Sequence, residues 1–441
     1  MLSDPIVALA TPPGRSAIAV VRVSGAGAFE VAARVIEGFR SSPARRATLA
    51  TFRAADGSPI DRGLYTVFPA PASYTGDDLI ELSCHGGLMV PVRLVAALQT
   101  AGARPAAAGE FTRRAVLNGK LDLLQAEAVG DLIDATAPAQ AGAALAQLDG
   151  GLSARLNDLR VRLLDAEALL GYELDFPGED DGPVPPSRIA AALDAAAERV
   201  ERLLATAPAG ERLREGALVV IAGRPNAGKS SLFNALLGSE RALVTEVAGT
   251  TRDAIEAHTD FLGWPVRLAD TAGLRSVSDR VERLGVAVSR RWLAAADLVL
   301  LCAEAGRTLG PDETAIAADS PTLVVRTKAD LAPGEPGDLA VSALTGVGLH
   351  QVRRVAGERL FGDRVQLADL EPALTRARHV DALRRAFAAL ESARPHLGPG
   401  GDAVLAAHHV REAVLALDEL IGVVDVEEVL GRIFAGFCVG K

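Results

Sequence analysis

Gly223-Arg224-Pro225-Asn226-Ala227-Gly228-Lys229-Ser230 matches the phosphate-binding pattern G-x-x-x-x-G-K-[ST]. It follows an apolar run, Ala217 to Ala222, that reads as a buried strand. It precedes Ser231-Leu232-Phe233-Asn234-Ala235-Leu236-Leu237, which reads as a helix. Glycines at 223 and 228 let backbone N–H groups turn inward on phosphates without Cβ clashes. Lys229 supplies a point charge to the terminal phosphates, and Ser230 a hydroxyl for Mg²⁺. The alternative is a chance loop, against which the flanking strand and helix both argue. A nucleoside triphosphate is expected on Asn226, Ala227, Gly228, Lys229, Ser230 and Ser231.

The base is read further along. Thr327-Lys328-Ala329-Asp330 follows a strand-like run, Thr322 to Val325. The Asp330 carboxylate can accept from both N1–H and the exocyclic amine of guanine, whereas adenine presents an acceptor at N1 and would leave it unpaired. Ser342-Ala343-Leu344, after the strand-like Leu339 to Val341, fits the last guanine-contacting turn. Thr327 stands where Asn is common, keeping a hydroxyl but losing the amide. Looser guanine binding is therefore expected, with specificity retained through Asp330. Between these motifs, Gly249-Thr250-Thr251-Arg252-Asp253 offers Thr251 as a second Mg²⁺ ligand, and Asp270-Thr271-Ala272-Gly273 closes the strand Val266 to Ala269. Asp270 would orient the Mg²⁺ shell while the Gly273 amide faces the γ-phosphate. In this order the motifs are the signature of a G domain.

Catalysis is the unusual part. The position after Asp-x-x-Gly often carries a water-aligning Gln; here it is Leu274. Two substitutes are visible. Asn226 has a side-chain oxygen suited to holding a monovalent cation beside the phosphates, or is a turn residue beside Pro225. Glu282 could position water from a distance, or is a solvated helix charge.

The chain has 441 residues, enough for two or three domains, and a formal charge of −10, so no global basic surface advertises nucleic acid. Any RNA contact needs a local patch or a partner. Cys84, Cys302 and Cys438 show no metal spacing and fit a reducing compartment. Met1-Leu2-Ser3-Asp4-Pro5 runs straight into a strand pattern, and no apolar stretch reaches about 18 residues, so a cytoplasmic protein without a membrane span is expected.

The expected fold is multidomain. An α/β module spans 1–118, with strands at Ile6 to Ala10, Ala17 to Val23, Leu64 to Phe68 and Leu79 to Cys84, and helices at Ala28 to Ile36 and Leu88 to Thr100. An α-helical domain is built from two flanking segments, 119–210 and 365–441, with the α/β P-loop G domain, 211–364, inserted between them. Helical periodicity runs from Leu121 to Tyr172, broken near Pro138 and Gly150-Gly151. Further helices are expected over Arg188 to Ala205, Thr375 to Ala393, Ala403 to Leu420 and Val426 to Phe434.

Outside the G motifs, Thr11-Pro12-Pro13-Gly14-Arg15, Arg22-Val23-Ser24-Gly25, Tyr74-Thr75-Gly76-Asp77-Asp78, Cys84-His85-Gly86-Gly87, Gly109-Glu110-Phe111-Thr112 and Leu117-Asn118-Gly119-Lys120-Leu121-Asp122-Leu123 occur in order. Gln125-Ala126-Glu127-Ala128, Asp131-Leu132-Ile133-Asp134-Ala135 and the end Phe437-Cys438-Val439-Gly440-Lys441 follow. The whole chain resembles the MnmE family, also called TrmE: GTPases that work with an FAD-dependent partner on the wobble uridine of certain tRNAs. Val439, where the tail usually has Ile, and Thr327 are its departures.

The resemblance implies a folate-binding-like N-terminal module that pairs with its copy in a homodimer. Arg22, Glu81, Lys120 and Lys441 would contact 5-formyl- or 5,10-methylene-tetrahydrofolate, and Cys438 would be either a catalytic thiol or a flexible-end cysteine. It implies a nucleotide-binding segment over Thr245, Glu246, Val247, Ala248, Gly249, Thr250 and Thr251. K⁺ would replace an arginine finger, held by Asn226, Thr245, Val247 and Thr250, and Glu282 would orient water. FAD and NADH would sit on the partner, in a heterotetramer or larger complex acting on tRNA. A ribosome-assembly GTPase shares the G domain but has no use for the N-terminal module or the tail. A folate-responsive signalling GTPase would leave tRNA unchanged.

Overall fold

A computed structural model describes residues 4–41, 43–175, 186–238, 255–270, 291–332, 338–362, 374–397 and 401–422, together with 433, 437 and 440. Two compact units result. One comprises Met1–Gly130, Leu148–Val161 and Val414–Lys441; the other comprises Asp131–Gln147 and Arg162–Ala413.

In the first unit β1 (Ile6–Leu9), β2 (Ile18–Ser24), β3 (Thr48–Arg53), β4 (Pro59–Phe68), β5 (Leu79–His85) and β6 (Arg104–Pro105) form one sheet of order β3-β4-β5-β2-β1-β6. All its pairs are antiparallel except β1 with β6. Strand alternation separates two faces. Val21, Val23, Ile80 and Leu82 face one core with α1 (Ala28–Val35) and α2 (Val90–Thr100). Ile6 and Ala8 face another, under Phe111 of α3 (Glu110–Leu117) and Tyr74. Every expected strand here is present. β3, the first half of β4, β6 and α3 are additions; β6 is only two residues long and α3 only eight, too short for a periodic pattern to stand out.

Arg114 is 1% exposed, and such burial demands partners. Its guanidinium donates to the Asp4 carbonyl at 2.8 Å and lies 3.4 Å from Glu110, which also pairs with Arg104 at 2.5 Å. Gly25 makes room for this network: at φ 126° a Cβ would stand 2.5 Å from the Asp4 carbonyl oxygen and 2.6 Å from the Arg114 guanidinium.

The helices α4 (Leu123–Asp134), α5 (Pro138–Leu148) and α6 (Gly151–Asp175) break where expected. Pro138 opens α5, and Gly150 adopts φ 89° between α5 and α6. α7 (Pro186–Ala205) is followed by α8 (Ala207–Glu215), which was not anticipated.

The second unit contains β7 (Ala217–Gly223), α9 (Lys229–Leu237), β8 (Ile255–Phe261), β9 (Trp264–Asp270), β10 (Leu298–Glu304), α10 (Pro311–Asp319), β11 (Thr322–Thr327) and α11 (Leu349–Phe361). The sheet order is β11-β10-β7-β9-β8, parallel except for β8. The central strands β7 and β10 are buried at every residue but the last, the mark of a sheet covered on both faces. Leu339 to Val341 is not a strand. Only an isolated bridge, Arg326 to Ala340, forms there, because the chain turns at Ser342 straight after it. Ala139 of α5 is fully buried in this core with Trp264 and Phe361, and its N–H donates to Gly263 at the β8–β9 turn at 2.9 Å. α12 (Ala377–Ala393) and α13 (Ala403–Ile421) agree with expectation. Most of Val426 to Phe434 lies outside the described residues. Among those residues no helix is long and apolar enough to cross a membrane.

Candidate functional site: a phosphate loop, a base loop and an N-terminal Arg–Glu pair

Gly223 leaves β7 at φ 140°, and a Cβ there would lie 2.4 Å from the Cys302 carbonyl oxygen on β10. No other residue can pass so close to the neighbouring strand. Asn226 at φ 61° and Gly228 at φ 80° then turn the chain through left-handed positions into α9. Asn tolerates that region better than most residues, so the backbone itself gives Asn226 a reason to be there while its side chain stays exposed. Ala227 is buried and Ser231 exposed. The free amides at the start of α9 form an anion-binding end. Lys229 is 8% exposed, and its Nζ donates to the Arg224 carbonyl at 2.7 Å across the loop. Cys302 beneath it is buried, its thiol pushed up to about 12 by desolvation, and is therefore no nucleophile.

Register places Asp270, the last residue of β9, beside Ile221 of β7. Its carboxylate accepts from Ser230 Oγ at 2.8 Å. A hydroxyl and a carboxylate in contact at the mouth of a phosphate loop are hard oxygen donors of the kind Mg²⁺ selects, so this pair fits that ion.

The base loop is tied to the phosphate loop. Thr327 is buried, and its hydroxyl donates to the Ala227 carbonyl at 2.8 Å, with Ala303 O at 3.3 Å. Its role is thus to join the two loops. Lys328 adopts φ 58°, and its Nζ meets Glu304 at 2.5 Å, a hydrogen bond that holds the Glu304 carboxyl below its ordinary range. The Ala329 N–H donates to Val341 O at 3.1 Å, and Asp330 is left exposed. Ser342 is 1% exposed and its Oγ accepts from Thr345 N–H at 3.2 Å, with Ala343 half-buried and Leu344 85% exposed beside it. Thr245, Glu246, Val247, Ala248, Gly249, Thr250, Thr251, Thr271, Ala272, Gly273 and Glu282 lie outside the described residues.

In the N-terminal sheet, Ala8, Arg22 and Glu81 stand side by side across β1, β2 and β5. Arg22 pairs with Glu81 at 2.8 Å, the two side chains 25% and 30% exposed. The guanidinium carbon lies 5.8 Å from the centre of the Tyr74 ring, within cation–π reach. Tyr74 in turn shares a 2.9 Å hydrogen bond with the Thr112 hydroxyl, and burial pushes its phenol up. The motifs containing Tyr74 and Thr112 assign neither residue a role; only the fold sets them beside Arg22. Lys120 is exposed and donates to the Pro71 carbonyl at 3.1 Å. Cys438 and Lys441 lie outside the described residues, but Gly440 between them packs on β1, where a Cβ at its φ of 103° would be 2.4 Å from Leu9 O. Leu9 adjoins Ala8, the register partner of Arg22. Cys84 is buried, with its thiol pushed up to about 11 by desolvation.

The profile of the GTP-binding protein TrmE N-terminus matches residues 5–120, and that of the MnmE helical domain matches residues 123–438. The tRNA modification GTPase MnmE of Akkermansia muciniphila is 41% identical over the full length of both chains. Those of Halorhodospira halophila and Aromatoleum aromaticum are 42% and 43% identical, covering all of this chain and 96% and 98% of theirs. Among solved structures, the G domain of the Thermotoga maritima FeoB iron transporter aligns at 25% identity and a TM-score of 0.25, over 33% of this chain and 96% of that one. With both family profiles matched and full-length relatives above 40% identity, the chain belongs to the MnmE/TrmE family of tRNA modification GTPases.

Proposed function

We propose that this GTPase is potassium-activated and acts as a cytoplasmic homodimer. With an FAD-dependent partner it installs an aminomethyl or carboxymethylaminomethyl group at carbon 5 of the tRNA wobble uridine, using a tetrahydrofolate one-carbon unit. The observation that carries the nucleotide half is the pairing of Ser230 with Asp270 beside Lys229, joined through Thr327 to the loop bearing Asp330. That pairing supports one ligand with triphosphate at one end and guanine at the other. Lys229 and the amides of α9 hold the phosphates; Asp330 reads the base. Ser230, with Thr251, would hold Mg²⁺, and Asn226, Thr245, Val247 and Thr250 would hold K⁺, the two ions neutralising charge that develops on the phosphates. Glu282 would orient the attacking water, a task closed to Leu274.

Asn226→Ala should bind GTP yet lose potassium stimulation of hydrolysis. Alanine at φ 61° costs about 1–2 kcal/mol, so Asn226→Gly, free of that strain, is the companion variant. Hydrolysis rates in KCl and NaCl at equal ionic strength read the effect. Stimulation as strong as in the parent would remove Asn226 from the cation site.

The folate half is supported by Arg22 and Glu81. A carboxylate suits the donor edge of a pterin, a guanidinium the carboxylate tail, and Lys120 adds a second cation. Tyr74 positions Arg22. Calorimetric titration with 5-formyl-tetrahydrofolate should show one site per chain, lost in Arg22→Ala with GTP hydrolysis preserved. Absence of binding by a folded, GTP-hydrolysing parent would end the folate reading.

A further inference from the structure

We propose that His408, His409 and Glu412 of α13 form a binding site for a divalent first-row transition metal of the zinc class. The three residues offer ligand atoms that all lie within 4.8 Å of one another. His409 Nδ1 stands 2.9 Å from one Glu412 carboxylate oxygen, and His408 Nε2 stands 3.7 Å from the other. Helical spacing explains the convergence: Glu412 is four residues on from His408 and three from His409, so its carboxylate lies beneath both rings. A third imidazole, His396, follows α12 and stacks on His409 with ring centres 6.1 Å apart. The site thus gathers three of the seven histidines in the chain.

The donor set is specific in its chemistry. Two imidazoles and a carboxylate suit zinc, nickel or copper, whereas Mg²⁺ takes oxygen ligands, so the ion serving the phosphate loop does not compete here. Tetrahedral zinc with bonds of about 2.0–2.2 Å sets its donors about 3.4 Å apart, so the 2.9 Å contact must open and the 3.7 Å one close by a few tenths of an ångström. The side chains of His408 and Glu412 are 62% and 50% exposed, and His409 is 25% exposed, so rotamer adjustment suffices without moving the backbone. What the metal displaces is a solvent-exposed His–Glu contact, which water and salt already weaken. The three residues belong to none of the phosphate loop, the base loop and the Arg22–Glu81 pair. Bound metal would fasten two turns of α13 and, if His396 joins, bind the end of α12 to them.

The test is calorimetric titration of the metal-stripped full chain with Zn²⁺, in millimolar Mg²⁺ and GDP. His408→Ala, Glu412→Gln and their combination are measured beside the parent. The expected result is one Zn²⁺ per chain, weakened at least tenfold in the combined variant, with GTP hydrolysis unchanged as the control for folding. Co²⁺ titrated in its place should give visible bands without thiolate-to-metal charge transfer. No saturable binding by the parent, equal affinity in the combined variant, or a thiolate band placing the metal on a cysteine would each overturn the proposal.

Discussion

Asp330→Asn is expected to lower GTP affinity by about 10³- to 10⁴-fold while raising affinity for xanthosine triphosphate. Bound as proposed, guanine would turn two donors, N1–H and its amine, toward this position, where a carboxylate accepts both. An Asn amide accepts one and meets the other with a donor of its own. Xanthine carries a carbonyl where guanine has the amine, so the Asn amide accepts from N1–H and donates to that carbonyl. The structure argues that the change stays local. Asp330 is exposed, and among the described residues the contacts that shape its loop are made by its neighbours. Those come from Thr327 to Ala227, Lys328 to Glu304, and Ala329 to Val341. Competition against a fluorescent guanine nucleotide measures both affinities. An equal loss for both nucleotides would mean that the loop had collapsed and that Asp330 is not the base reader.

The same loop shows where sequence reasoning stopped. Asp330 was legible because one carboxylate at a fixed distance from a phosphate loop has one obvious use. Thr327 was judged against Asn as a group near the base, since a motif read in one dimension cannot show that its hydroxyl points back to Ala227. Strands of continuous apolar sequence, such as β7, could be read directly. Leu339 to Val341 looked the same but yields only a bridge, because pairing is decided by the partner strand and by the turn at Ser342. Arg22 and Glu81 are 59 residues apart, and nothing in either motif says that β2 and β5 will align them in register. The family resemblance supplied that pair; the fold supplied Tyr74 and Thr112. The His408, His409 and Glu412 group carried no recognised motif, and its convergence depends on helical phase within α13.

Lys229→Ala should reduce single-turnover GTP hydrolysis by about 10²- to 10³-fold, with a fall in unfolding temperature of only a few degrees. The side chain is buried within the loop, and its hydrogen bond to the Arg224 carbonyl holds the ammonium in place before nucleotide arrives. Charge fixed in advance at a partly desolvated site needs no reorganisation as negative charge builds on the phosphates, which is why its removal acts on the rate more than on the fold. Lys229→Arg separates charge from placement. It keeps the positive charge, but the planar guanidinium is larger and must fit a loop where Gly223 already passes against Cys302 and Thr327 closes on Ala227. Placement therefore predicts that Arg fails to restore the rate. Full recovery in Lys229→Arg would show that net charge alone matters here, and the hydrogen bond to Arg224 would then be incidental.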